Sequence, residues 1–313
     1  MKKKIVVLLG GESDERSISF QTGKACKKAL VKLGYKVHTF DTKKNFYYKL
    51  KELKPNKVFN ALHGKYGEDG FIQSILEKLR IPYTHSGILA SSLAMDKELS
   101  RIIFKKNKIK VPKSLVIDPK NKLFLNKLLK KAKISFPIVL KPTNEGSSLG
   151  VYICKNLAEY NKNIKKLISY SKILVEEYIP GQEIQVAVMG NRAIGAIELK
   201  PRRKFYDYKA KYFSSSKTQH IMPANISSKN YYKVLKLALK AHKLLRCRGI
   251  TRSDFRFNKK NFYLLEVNTQ PGMTKLSLVP EIAAYNGISF ENLVEWIIKD
   301  SSLNRWIIRR EYY

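Results

Sequence analysis

Acidic residues are scarce in this sequence. Its 313 residues carry 25 Asp and Glu against 61 Lys and Arg, a formal charge of +36. Cysteine is scarcer still. Cys26, Cys154 and Cys247 are odd in number, far apart and without metal-ligand spacing. That excludes a disulfide framework and points to a reducing cytoplasm. No apolar run approaches the ~18 residues that a membrane span needs. The opening MKKKIVVLLGGES imitates a signal peptide, but its apolar stretch covers only residues 5–9, and Glu12, Asp14 and Glu15 follow at once. A buried first strand ending in a glycine turn is expected there. Several catalytic signatures are missing too. There is no G-x-x-x-x-G-K-[ST], no G-x-G-x-x-G after the first strand, and no His-x3-His or Cys-x2-Cys pair.

The basic excess is itself informative. Lysine accounts for 48 of the basic residues and arginine for 13, and the lysines are scattered along the whole chain beside many Asn and Ile. A field of this sign attracts nucleic acid or anionic lipid. A nucleic-acid surface, however, should be clustered, Arg-bearing and interleaved with aromatics. The scatter fits a drift towards A/T-rich codons with lysines on solvated faces, so no specific nucleic-acid partner is expected. A hydrophobic share of 44% describes a folded globular chain.

Three sections are expected: 1–95, 96–181 and 182–313. The first alternates strand-like runs (5–9, 36–40, 57–62) with helical patterns (17–33, 69–79), which reads as an open, mostly parallel α/β sheet. The second opens with a helix capped by Asp96 and closed before Val111 and Pro112. Strands follow on either side of KPTNEGSSLG (141–150), and another covers 171–179. The third offers strands at 184–189, 192–199, 251–257 and 261–268, with helices at 229–245 and 290–299. The fold class is therefore α/β, with α+β character in the later sections.

Geometry constrains the third section best. In a strand, residues two apart share a face. Arg252, Asp254 and Arg256 then point one way, and Leu264, Glu266 and Asn268 share a face of the next strand. Two carboxylates and an amide oxygen suit Mg²⁺, which takes one or two carboxylates with phosphate oxygens and water. A surface hairpin with cross-strand ion pairs, such as Arg252 with Glu266, explains the same spacing. KPTNEGSSLG joins strand to strand, so it reads either as a plain hairpin turn or as a flap whose amides meet phosphate. Glu176, Glu177 and Glu183, around a strand that ends in a turn, mark either a solvated edge or a place for ribose hydroxyls and an adenine edge. The irregular, tyrosine-bearing FYDYKAKYFSSS (205–216) suggests a lid.

Taken in order, the motifs become specific. LLGGESDERSIS (8–19), HGKYGEDG (63–70), MDK (95–97), KPTNEGSSLG, EEYIPGQE (176–183), FYDYKAKY (205–212), RSDF (252–255) and EVNTQPGMTKLSLVP (266–280) resemble the motifs of the D-alanine–D-alanine ligases of the ATP-grasp superfamily. The resemblance spans nearly the whole chain. It implies an N-terminal α/β domain followed by two ATP-grasp subdomains with ATP between their sheets. It further implies ATP-dependent joining of two D-alanines through an acyl phosphate, for peptidoglycan precursors, in a cytoplasmic homodimer using two Mg²⁺ or Mn²⁺.

Residue by residue, the resemblance assigns Lys97 and Lys141 to the ATP phosphates, with the flap at Ser147 above them. Glu176, Glu177, Ile179 and Glu183 match adenine and ribose contacts, and Asp254, Glu266 and Asn268 match the metal ligands. Arg252 and the Gly272 amide match oxyanion donors. Glu15, with His63 nearby, matches the site of the first D-alanine's ammonium. Ser277 and Leu278 match the site of the second substrate's carboxylate. Lys211 and Tyr212 belong to the lid, where the tyrosine would join Glu15 and Ser147. Tyr66 stands where the family frequently has glycine, which bears on packing near the first substrate. The competing readings are a D-alanine–D-lactate or D-alanine–D-serine ligase, which Tyr212 disfavours, and a basic nucleic-acid-binding protein on an inactive scaffold, which the full carboxylate set disfavours.

Overall fold

The computed structural model describes residues 3–121, 125–146, 149–200, 218–274 and 276–303. Three sheets organise them. In the first section β1 (Lys4–Leu9) runs parallel to β2 (Lys36–Asp41) on one side and β3 (Lys57–Asn60) on the other. The central sheet places β4 (Ser114–Ile117), β7 (Ile173–Glu177), β5 (Ile138–Pro142) and β6 (Tyr152–Cys154) side by side, all antiparallel. The third sheet is also antiparallel, in the order β10 (Gln219–Ile221), β9 (Arg192–Lys200), β8 (Gln182–Met189), β11 (Ile250–Phe257) and β12 (Phe262–Asn268). The mixed α/β class and the parallel first sheet agree with the sequence reading.

Helices follow where an apolar stripe meets a cap. α1 (Arg16–Lys32) turns Ile18, Cys26, Ala29 and Leu30 inward beneath the first sheet. α2 (Phe46–Leu53), α3 (Phe71–Lys78) and α4 (Ile88–Met95) complete that section. α3 begins later than its pattern suggests. The Asp69 carboxylate accepts from the amides of Tyr66 and Phe71, at 2.8 and 3.0 Å, and holds the chain in a turn. α5 (Lys97–Lys106) starts where expected, because the Asp96 carboxylate accepts from the amides of Glu98 and Leu99 at 2.9 and 3.0 Å. α6 (Leu125–Ala132) and α7 (Leu157–Ile164) cover the central sheet. α8 (Ser228–Leu244) buries Val234, Ala238 and Ala241 against the third sheet. α9 (Leu278–Tyr285) and α10 (Phe290–Asp300) close the chain.

Two packing facts position the site. The core under β1 and β3 is continuous with Ala187, Ile197, Leu278 and Ile297, so the first sheet and the third section share one interior. Phe104, Ile109 and Val111 pack with Phe255 and Phe262, which ties α5 to the third sheet. The central sheet instead has its own core around Ile138, Leu140 and Val175.

One local expectation fails. β11 and β12 pair Asp254 with Glu266 but Phe255 with Leu264, so Leu265 is an extra residue in β12. The bulge reverses the alternation. Leu264 joins Phe255 in the core, while Leu265 lies beside Glu266 on the cavity side. Leu264 thus does not share a face with Glu266, as strict period-two counting predicts.

Candidate active site

Two cavities adjoin where the sections meet. Glu15 and His63 line the first, opposite Arg252, Asn268, Gly272, Ser277 and Leu278. Lys141, Glu176, Glu177, Ile179, Glu183 and Asp254 line the second. Lys97, Glu145, Gly146 and Glu266 line both, and so mark the junction. Ser147, Lys211, Tyr212 and the 205–216 loop lie outside the described residues.

The second cavity is built on the ends of β5, β7, β8 and β11. Lys141 Nζ lies 2.8 Å from Glu176 Oε1, and Arg101 from α5 engages Oε2. Burial alone would raise the Glu176 carboxyl, but Arg101 and Lys141 outweigh it and hold it below the usual carboxylate range. Burial pushes the Lys141 ammonium down, Glu176 pulls it back and Arg101 pushes it down again. Arg101 escaped the sequence reading, although a signal existed: it lies four residues after Lys97 on a capped helix, hence on the same face. Glu177 Oε1 accepts from the Lys113 amide at 2.8 Å. The Ile179 carbonyl accepts from Arg256 Nε at 3.0 Å, and the same guanidinium lies over the Tyr178 ring and 3.4 Å from Glu183 Oε2.

At the junction, the Lys97 ammonium donates to the Glu145 carbonyl and stands 3.6 Å from Glu266 Oε2. Glu266 faces Asp254 directly across the strand pair, and Asn268 faces Arg252. Arg252 forks Asp254 through Nε and Nη2, at 2.7 and 2.9 Å. Among the described residues no three His, Cys, Asp or Glu side chains cluster as a metal site. The set here is two carboxylates and an amide oxygen, a hard donor set that fits Mg²⁺ or Mn²⁺ completed by phosphate and water. Asn268 Oδ1 accepts from the Gln270 amide at 2.7 Å and keeps a second lone pair.

KPTNEGSSLG joins two antiparallel strands, so the hairpin is real, and it also reaches the cavities. A Cβ built on Gly146 would come within 3.1 Å of Glu15 Oε2. Gly64, at φ +67°, approaches the same oxygen, and a Cβ on it would lie 2.8 Å away.

In the first cavity His63 is 3% exposed. Its Nε2 is 2.9 Å from Thr22 Oγ1 and its Nδ1 3.1 Å from Glu68 Oε1. Burial opposes charge on the imidazole, yet Glu68 outweighs it and raises the His63 pKa. Burial raises the Glu68 carboxyl. Glu68 also escaped the sequence reading, its place behind His63 being set by the turn at Gly64. Tyr66 turns away from the cavity, its ring 5.2 Å from that of Phe71 at the surface. Ser277 stands at the N-cap position of α9 without a side-chain capping bond, and its Oγ instead accepts from the Thr274 amide, before the helix, at 2.9 Å. The positive end of that helix therefore opens onto the cavity, which suits a carboxylate. A Cβ on Gly272 would sit 2.9 Å from Ser277 Oγ, so a larger residue there would push that hydroxyl aside.

Comparison with known proteins follows the same lines. Residues 103–299 match the family model described as D-ala D-ala ligase C-terminus. The chain is 58% identical to the D-alanine–D-alanine ligase of Pelagibacter ubique (strain HTCC1062), with 97% of this chain and 100% of that one covered. It is 50% identical to the D-alanine–D-alanine ligase of Wolbachia pipientis wMel, covering 95% and 94%. The solved D-alanine–D-alanine ligase from Bacillus anthracis complexed with ATP superposes with a TM-score of 0.83 at 32% identity, over 96% of this chain and 97% of that one.

Proposed function

The chain belongs to the D-alanine–D-alanine ligase family, and from that premise we infer its reaction and the division of labour among its residues. It is an ATP-dependent carboxylate–amine ligase that joins two D-alanines, releasing ADP and phosphate, for peptidoglycan precursor synthesis. The observation that carries the residue roles is the junction. Two cavities meet at Lys97 and Glu266, so a nucleotide in one and an amino acid in the other bring phosphate and carboxylate to the same point.

A carboxylate is a poor acylating agent, so the first D-alanine must become an acyl phosphate. Both reacting groups are anions. Lys97 and Lys141 lower their repulsion in a site that little water reaches. Glu176, Glu177, Ile179 and Glu183 seat adenine and ribose. Asp254, Glu266 and Asn268 would hold two Mg²⁺ or Mn²⁺, which supply further neutralisation of the phosphate oxygens. Glu15 and His63 hold the first ammonium. Ser277 and Leu278, at the start of α9, take the second carboxylate. The neutral amine of the second D-alanine attacks the acyl carbon, and Arg252 with the Gly272 amide steadies the tetrahedral oxyanion. Phosphate then leaves with the electrons of the C–O bond. Ser147, Lys211 and Tyr212 close the site, because water would hydrolyse the acyl phosphate. Three units, 1–95, 96–181 and 182–313, a homodimer and a cytoplasmic location belong to the same reading.

The test is phosphate release with ATP, Mg²⁺ and D-alanine, repeated with L-alanine, D-lactate and D-serine. Turnover with D-alanine alone is expected. Folded protein without D-alanine-dependent turnover would overturn the reading, and preference for D-lactate or D-serine as acceptor would reassign the second site.

A further inference from the structure

Behind the first cavity, two buried amide side chains meet that no step above uses. Asn60 ends β3 and is 1% exposed; Gln270 follows β12 and is 2% exposed. Asn60 Nδ2 donates to Gln270 Oε1 at 2.6 Å and to the Gly67 carbonyl at 3.0 Å. Asn60 Oδ1 accepts from the Leu62 amide at 3.2 Å. Gln270 Nε2 donates to the Leu62 carbonyl, and the Gln270 amide donates to Asn268 Oδ1 at 2.7 Å. Gln73 Nε2 adds a second donor to the Gly67 carbonyl, at 2.9 Å.

The partners are telling. Leu62 and Gly67 immediately precede His63 and Glu68, which face the first cavity. Gln270 stands midway between Asn268 and Gly272, which face the same cavity from the third section. One buried amide pair therefore joins two loops some two hundred residues apart in sequence. Each loop carries groups that line the first cavity. Side-chain amides are costly to bury unless their donors and acceptors are met, and an apolar pair would fill this space as well. What the amides add is direction, since each of these hydrogen bonds is made in one relative placement of the loops.

We propose that Asn60 and Gln270 are positioning residues. They set the loop seating the first D-alanine against the loop bearing Asn268 and the Gly272 amide, so that the substrate carboxyl and the oxyanion donors stand in register. This rests on the ligase reading above.

The test compares Asn60→Leu, Gln270→Leu, the double variant and Gln270→Glu with the wild type. Gln270→Glu keeps the shape and the acceptor facing Asn60 but loses the donor to Leu62, so it remains informative if the leucine variants fail to fold. Misplacement of reacting groups predicts that each leucine variant loses about 10- to 100-fold in kcat/KM for the first D-alanine. Nucleotide affinity, measured by direct ATP binding, should stay within about twofold, since the second cavity is untouched. Gln270→Glu should fall between wild type and Gln270→Leu. The double variant should lose little more than the worse single one, because the pair acts as a unit. Lower melting temperatures with wild-type KM and kcat in the folded variants would reduce the pair to a structural role and overturn the proposal. Strictly multiplicative losses would overturn the coupling between the two residues. Wild-type protein without D-alanine-dependent turnover would overturn the ligase reading, and this role with it.

Discussion

Glu176→Gln should cost the fold more than Arg101→Met, and it should cost less when Arg101 is already methionine. The three charges involved are nearly sealed, with Arg101 and Glu176 each 3% exposed and Lys141 6%. Glu176 divides its oxygens between the two cations. A glutamine in its place would keep the shape but leave two buried cations facing each other. Two unit charges about 6 Å apart at an effective dielectric of about 20 repel by about 3 kcal/mol. Breaking a buried pair by removing one partner costs about 3–5 kcal/mol in all. Arg101→Met is milder, because Glu176 and Lys141 remain a neutral pair. The loss is then a charge-assisted hydrogen bond, about 1.5–3 kcal/mol, offset by the apolar replacement. In the double variant only one cation remains, so the coupling between the sites should be about 1–3 kcal/mol. Urea unfolding of the four proteins without nucleotide, followed by circular dichroism, measures this if all four share one m-value. The Glu176 pKa is lowered in the fold, so its contribution is present above the ordinary carboxylate range and disappears as pH falls through the folded value. The coupling should fade in acid accordingly. Additivity within about 0.5 kcal/mol at neutral pH, or a larger loss from Arg101→Met, would refute the charge argument.

Three further outcomes are expected. Glu266→Gln should abolish phosphate release while leaving the melting profile unchanged; an active variant would remove Glu266 from the metal set. The fork from Arg16 holds the Asp41 carboxyl at about 2, against opposition from burial. Its stabilising effect is thus present above about pH 4 and lost as pH falls through the folded value. Asp41→Asn should make stability fall less steeply over that acid range, and an unchanged slope would remove the Arg16 pair from the acid response. At Gly181, φ is +121° and a Cβ would lie 2.1 Å from the Phe257 carbonyl oxygen. Gly181→Ala should therefore destabilise by at least about 2 kcal/mol in thermal or urea unfolding, and a variant as stable as wild type would show that the β7–β8 turn relaxes freely.

What could be read from sequence, and what could not, follows the range of the interactions. The Asp96 cap is decided by the next three residues, and α5 starts there. That Arg252 shares a face with Asp254, and Glu266 with Asn268, also follows from strand alternation, since each pair lies on one side of the bulge. Leu264 does not, because the extra residue Leu265 is an irregularity that period-two counting does not anticipate. α4, Ile-Leu-Ala-Ser-Ser-Leu-Ala-Met, shows no clear polar face, as it is packed between α3, α5 and β12. α2, α6 and α7 have eight residues each. Helices that short are held by packing rather than by their own propensity. Glu68, Thr22 and Gln270 gain their meaning only from partners brought close by tertiary contact, and nothing in their local pattern separates them from ordinary polar residues.

The sign of the buried charge completes the case that chemistry, and not the overall field, defines this protein. The chain carries +36, yet the buried Asp, Glu, Lys and Arg among the described residues are mostly acidic. They are Glu15, Glu68, Glu176, Glu183, Glu198 and Asp254 against Lys97, Arg101 and Lys141. All but Glu198 line the two cavities or, like Arg101, bond a residue that does. A buried charge is expensive unless paired or put to use. An acid-rich cavity inside a basic protein is what a site needs if it must hold divalent cations and an ammonium as well as phosphate. The scattered surface lysines could be thinned without touching any of these groups. Replacing surface lysines along α8, such as Lys229, Lys233 and Lys236, by glutamine should therefore leave D-alanine-dependent phosphate release within about twofold and weaken only salt-sensitive association with polyanions. A large loss of turnover in that variant would mean that the basic surface takes part in the reaction after all.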